Sequence, residues 1–478
     1  LLKNKKEVNM SNKKDFVHPY IPNSVPEVKK EMLKSIGVKD IEELYAEIPE
    51  FLRFRGKMDL PEPYLSEFRL KRHVEQILAK NQSCVENISF LGGGCWQHYV
   101  PAICDEVNSR SEFLTAYAGE PYEDHGRFQT LFEYESLMGE LLDMDVVNVP
   151  TYDWSQAAAT SIRMAGRITE RPEILISDTV APDRLAMIKN YCQPVMEITM
   201  VKHIPETGLL DLNDLKGKIN KNTAGLYFEN PSYLGFIENK GQEISDLIHK
   251  EGGLLITGVD PSSLGILIPP SNYGADIVCG DIQGLGMHLS YGGGLAGFIA
   301  SCDDEKYVME YPSRLFGITK TSVKGEYGFG DVTYDRTSFG EREKGKEFVG
   351  THSALWGITA GVYLSLMGPE GMYELGETII HKARYAQLRL NKIPGVKAPA
   401  FNSSHFKEFV VEFNQTGKKV ADINSALREN NIFGGKDISG EFPELGQSSL
   451  YCVTEIITKE DIDCLAENLK KIITRGRS

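Results

Sequence analysis

The stretch GVDPSSLGIL, beginning at Gly258, closes a short apolar run and delivers Asp260 beside Pro261 and two serines. In an α/β fold, ligands collect at the carboxyl ends of the strands. A carboxylate placed there can keep a ring nitrogen protonated, as an electron sink such as pyridoxal phosphate requires. It can equally be a turn aspartate that caps the segment following a strand. Imine chemistry also needs an amine, yet from Glu251 to Glu305 the chain has no Lys and no Arg. The glycine-rich YGGGLAG at 291–297 could bring backbone close to a phosphate. It lacks the strand–loop–helix order of a dinucleotide fingerprint, and a glycine-rich hairpin fits it as well.

Two upstream stretches are denser in titratable and aromatic groups. FLGGGCWQHYVP (90–101) combines a glycine run with Trp96, Gln97, His98 and Tyr99, and TAYAGEPYEDHGRFQ (115–129) sets Tyr117, Tyr122, His125 and Arg127 among turn residues. Loops of this kind are often binding surfaces, although a His or Tyr there is more often a packing residue than a catalyst. No G-x-S-x-G elbow is present, which excludes the hydrolase built on it. The eight cysteines are scattered without a C-x-x-C pair or a histidine at ligand spacing, so reduced thiols are expected rather than disulfides or zinc.

These residues need elements to position them. Strands are expected at EILIS from Glu173, VMEITMV from Val195, AGLYF from Ala224, GLLIT from Gly253, DIVC from Asp276 and AGFIAS from Ala296. Amphipathic stretches such as GQEISDLIHKEG lie between them, which implies a mainly parallel sheet covered on both faces. EFVVEF from Glu408, SLYCVT from Ser449 and the helical VADINSALREN and TKEDIDCLAENLKKIITR indicate a smaller C-terminal α+β domain. The expected organisation is a disordered tail (1–15), an N-terminal helical arm (16–80) that packs against something larger, a large domain (81–370) and a small domain (371–478). The uncharged run from Phe348 to Pro369 carries His352, several glycines and a terminal proline, and is expected to be a buried helix rather than a membrane span. A net charge of −15 argues against nucleic-acid or anionic-membrane partners. The lysine-rich start has no apolar signal region, which favours the cytoplasm.

At this point the chain resembles a known family. HPYIPNS, SFLGGGCWQHYVP, SRSEFLTAY, FEYESLMGELLDMDVVN, LLITGVDPSSLGIL, YGADIVCGDIQGLG, YPSRLFG, YLSLMGPEGMYEL, EFVV and CVTE occur in order from about Phe16 to Lys470. They are similar to the alpha subunit, subunit 1, of two-subunit glycine dehydrogenase (decarboxylating), the P-protein of the glycine cleavage system. The resemblance implies the aspartate-aminotransferase architecture, fold type I of the pyridoxal-phosphate transferases. It also implies a catalytic beta subunit that holds pyridoxal phosphate on its own lysine, an alpha2-beta2 heterotetramer, and a lipoyl carrier, the H-protein, that receives the aminomethyl group.

By the same resemblance Leu285 stands at the position of the imine-forming lysine, and Ala181 replaces a histidine that stacks on the cofactor ring. Asp260 persists, so this chain's own pocket (Asp260, Ala181, Leu285) is expected to be vestigial. His98, Tyr99 and Tyr117, in the best-matching motifs, are expected to reach the partner's site. Departures cluster in loops: AGEPYEDHGRFQ after Tyr117, YDWSQ with a bulky Trp154 in place of a small-residue turn, and GKEFVGTHS after Lys344. They leave open a paralogous complex acting on another amino acid or amine. A structural or regulatory pseudoenzyme is a further alternative. A self-sufficient enzyme would need Lys306, Lys320 or Lys324, all too far along the chain for the family's spacing.

Overall fold

The structure is a computed structural model that describes residues 17, 18, 20–56, 58–114, 125–347 and 352–474. The chain divides into two units, 1–81 and 82–478. The first holds two helices, α1 (Pro26–Ile36) and α2 (Glu67–Leu78), joined by short helical turns. α1 starts on Pro26 and stops at Gly37 in the left-handed conformation, while Ser66 caps α2. None of the described residues of this arm is buried, and Tyr20 (87% exposed) and Leu65 (95%) stand furthest out, with Phe51 (86%) next.

The second unit is built on a seven-stranded sheet: β1 (Val146–Val147), β2 (Glu173–Ser177), β3 (Glu197–Val201), β4 (Thr223–Glu229), β5 (Leu254–Val259), β6 (Ile277–Asp281) and β7 (Gly297–Ser301). Their order across the sheet is β1-β7-β6-β5-β4-β2-β3. Neighbours from β6 through β3 run parallel, and β7 is antiparallel to both β6 and β1. β4 is buried along its whole length, as a strand covered on both faces must be.

On one face lie α3 (His125–Leu142), α6 (Gly241–Lys250), which links β4 to β5, and α7 (Ala354–Leu390); on the other lie α4 (Trp154–Thr169) and α5 (Pro182–Cys192). Asp153 caps α4, and its Ala157–Ala159 run lets the helix lie close on the strands. The described part of the uncharged 348–369 run forms the first half of α7, which breaks at Gly368 (φ 60°) before Pro369. Among the described residues, no helix is long and apolar enough to cross a membrane. All eight cysteines are free thiols.

Beyond α7, β10 (Glu408–Glu412), β11 (Lys436–Asp437) and β12 (Ser448–Cys452) form a three-stranded antiparallel sheet ordered β10-β12-β11. The hairpin β8 (Phe316–Lys320) and β9 (Tyr327–Asp331) precedes them in the chain. Helices α8 (Val420–Arg428) and α9 (Lys459–Thr474) cover the smaller sheet, whose core centres on Phe409, Tyr451 and Leu465.

Candidate functional site

Three carboxyl groups stand at the carboxyl ends of adjacent parallel strands: Glu229 ends β4, Asp260 follows β5 and Asp281 ends β6. All three are buried, so each needs partners. Asp260 accepts the Ser262 backbone N–H at 3.1 Å and its hydroxyl at 2.9 Å. Its main partner comes from the smaller sheet: Lys407 Nζ lies 2.6 Å from Asp260 Oδ2. Lys407 is itself 2% exposed and sits 3.5 Å above the Trp96 ring centroid.

The Lys407 ammonium also lies 3.1 Å from His98 Nε2. An ammonium has only donors, so Nε2 accepts and the imidazole proton is on Nδ1. That proton is donated to Glu455 Oε2 at 2.8 Å, while Glu455 Oε1 accepts the backbone N–H of Tyr99 at 2.6 Å. Burial pushes the Glu455 carboxyl up, but the hydrogen bonds from His98 Nδ1–H and the Tyr99 N–H pull harder and hold it below the usual carboxylate range. A continuous polar chain thus runs from Asp260 through Lys407, His98 and Glu455 to the backbone of Tyr99, whose side chain is 64% exposed.

A second group fills the space beside β4 and β5. Trp154, the first residue of α4, donates its indole N–H to Tyr227 Oη at 3.1 Å, and that hydroxyl donates to Glu229 at 3.1 Å. Arg184 lies 3.9 Å over the Trp154 ring and 2.6 Å from Glu229. Burial works against the guanidinium charge, yet the Glu229 carboxylate more than offsets it and raises the Arg184 pKa. Trp154 covers β5 so closely that a Cβ at Gly258 would come within 3.0 Å of its indole nitrogen and 2.7 Å of Tyr227 Oη. Only glycine leaves room there.

The amino end of α4, the kind of position that receives a phosphate, is satisfied by carboxylates. Asp153 accepts Gln156 N–H at 2.7 Å, and Asp281 accepts Trp154 N–H at 3.2 Å. Burial pushes Asp281 up to about 7 in spite of further bonds from the Ala296 and Gln283 N–H groups.

Comparison with known proteins places this architecture. The glycine cleavage system P-protein family model matches residues 18–469. The chain belongs to that family. It is 41% identical over 465 residues to a probable glycine dehydrogenase (decarboxylating) subunit 1 of Staphylothermus marinus, covering 95% of this chain and 98% of that protein. The corresponding Pyrococcus furiosus protein is 37% identical over 461 residues, covering 95% and 99%. Among solved structures, an inhibitor-bound glycine decarboxylase (P-protein) of the glycine cleavage system matches with a TM-score of 0.83 and 30% identity, over 96% of this chain and all of that one. A sphingosine-1-phosphate lyase of Burkholderia pseudomallei, 14% identical with a TM-score of 0.64 over 90% and 95% of the two chains, shares the fold. The fold is α/β, fold type I of the pyridoxal-phosphate enzymes.

The family's cofactor does not fit this chain. The space between Trp96, Trp154, Arg184, Asp260 and Lys407 amounts to about 20 Å³, room for roughly one water. Leu285 is fully buried in the apolar core, and Ala181 is buried at the start of α5 against Tyr233 and Leu234. Of the residues singled out in the sequence, the structure joins Asp260, His98 and the Tyr99 backbone through one network. Leu285 and Ala181 lie outside it, and Tyr117 lies outside the described residues. Sequence reasoning missed Lys407, Glu455, Arg184 and Glu229. The motifs EFVV and CVTE, which carry the resemblance, adjoin Lys407 and end on Glu455, but nothing local in either foretells an ion pair with a distant strand.

Proposed function

We propose that this chain is the lysine-lacking subunit of a two-subunit glycine decarboxylase. The observation that carries the reading is the match, along almost its whole length, to proteins named subunit 1, in a chain with no lysine anywhere from Glu251 to Glu305. A second subunit holds pyridoxal phosphate on its own lysine, the two assemble as an alpha2-beta2 heterotetramer in the cytoplasm, and a lipoyl carrier, the H-protein, takes the aminomethyl group. The cofactor supplies the electron sink for loss of the glycine carboxylate. This chain contributes a wall that keeps water from the reacting carbon.

Tyr99 is the candidate best placed to meet the partner, since its side chain is exposed while its backbone is fixed by Glu455. His98 acts as a positioning residue: its ring is buried, and it reaches the surface only by orienting Glu455. Tyr117 is proposed to join Tyr99 at the shared site. Asp260, Ala181 and Leu285 form the vestigial pocket. Trp154, the departure that most favours another substrate, is buried inside this chain against Arg184 and Tyr227, which weakens that alternative.

Co-expression of the chain with a lysine-bearing second subunit and assay of carbon dioxide release from carboxyl-labelled glycine tests the reading. The pair should turn over glycine and the chain alone should not. Decarboxylation by the isolated chain, or a pair that rejects glycine and accepts another amino acid, would refute it.

A further inference from the structure

Lys407 has no role in the reading above, yet it is one of the most enclosed charges in the molecule. It lies just before β10 of the smaller sheet, and its ammonium reaches across to Asp260 (2.6 Å) and Ser262 Oγ (3.3 Å), which follow β5 of the larger sheet, and to His98 Nε2 (3.1 Å). The Trp96 ring face closes over it at 3.5 Å. Its neighbour Glu408 accepts the Gly93 backbone N–H at 2.6 Å. Gly93 belongs to the glycine run, and a Cβ on the adjoining Gly92 would overlap Glu408 and Cys452. The approach is therefore close and built in.

We propose that Lys407 is an internal stand-in for the missing cofactor: its ammonium occupies the cation position at Asp260, fills the ancestral pocket and ties the two sheets together. Asp260 stands where the fold presents a carboxylate to a ring cation. With that cation absent, the buried carboxylate would be uncompensated, a state proteins avoid. The chain provides the counter-charge from its own small sheet. The amine of Lys407 is then committed to an ion pair within about 20 Å³ of free space and is no candidate for imine formation. The proposal also explains why Asp260 persists in a pocket without an imine lysine: removing it would strand Lys407.

Two measurements on the full-length chain test this. In the first, wild-type protein is incubated with pyridoxal phosphate, reduced with borohydride, digested and mapped by mass spectrometry. Exposed lysines such as Lys71 and Lys306 should carry pyridoxyl groups and serve as the internal control, while Lys407 should remain unmodified. A near-stoichiometric adduct at Lys407 overturns the proposal.

The second is a mutant cycle with Lys407→Met, Asp260→Asn and the double variant. Each single change should lower the thermal midpoint by about 5 °C or more, and the double variant should recover most of that loss. Additive losses, or single variants as stable as wild type, overturn it. If the single variants do not fold, the adduct map on wild type still decides. The outcome is separable from the functional reading: an active pair with Lys407 labelled defeats only this inference, and an inactive pair with Lys407 unmodified defeats only the decarboxylase assignment.

Discussion

Glu455 and Asp281 are buried carboxyl groups whose environments move them in opposite directions, and pH distinguishes their roles. Glu455 is held below the usual carboxylate range, so it contributes stability that is complete above its unfolded value near 4.3 and is lost as pH falls below that value. Glu455→Gln should cost about 1–3 kcal/mol at pH 7, since a charged acceptor of two donors is replaced by a neutral amide. In urea titrations the deficit should shrink as pH falls through that window. Asp281 is raised to about 7 and has the reverse sign: its contribution is present below about 4 and declines as pH rises toward 7. Asp281→Asn should therefore compare more favourably with wild type at pH 8 than at pH 4.5, and equal differences at both would refute the assignment. Legibility at this scale was partial. Asp260 could be picked out because a strand and its terminal residue are local in sequence, and Leu285 because a missing amine is visible wherever a family pattern expects one. Lys407 could not, because nothing around it in FKEFVV signals that its end meets a strand far away in the chain.

The sheet was the most legible element, because strands buried on both faces leave short continuous apolar runs. The expected runs at Glu173, Val195, Ala224, Gly253, Asp276 and Ala296 each coincide with a strand to within two residues. The amino end of α4 was harder to read. YDWSQ displays the capping aspartate, but the aromatic that follows is in a turn by sequence and over a strand in space. Trp154 fixes that helix end by stacking under Arg184 and bonding Tyr227. Trp154→Ala should cost about 3–5 kcal/mol by opening a cavity among buried side chains, measured by denaturant unfolding of the whole chain. Gly258→Ala probes the same contact from the strand side. Its added methyl would lie 2.7 Å from Tyr227 Oη and 3.0 Å from the Trp154 indole, and should cost about 1–3 kcal/mol. If Trp154 is the obstacle, Gly258→Ala should be milder in a Trp154→Ala background. Additive losses would mean that the methyl is opposed by Tyr227 instead.

At the scale of the whole molecule, the two units differ in how they can be stable. Residues 82–478 bury several apolar clusters of their own. The arm cannot do this: α1 and α2 are amphipathic, none of the described arm residues is buried, and Phe51, Phe54, Leu65 and Phe68 present apolar surface to water. A polypeptide that orders such segments without a core must cover them elsewhere, and under the proposed function a second subunit offers such a surface. Replacing Phe51, Leu65 and Phe68 together with serine should leave the chain soluble, with an unchanged melting transition for the core. It should also reduce recovery of the tagged second subunit in co-purification by tenfold or more, and glycine decarboxylation with it. Full recovery of an active pair would mean that the arm's apolar residues pack within their own chain.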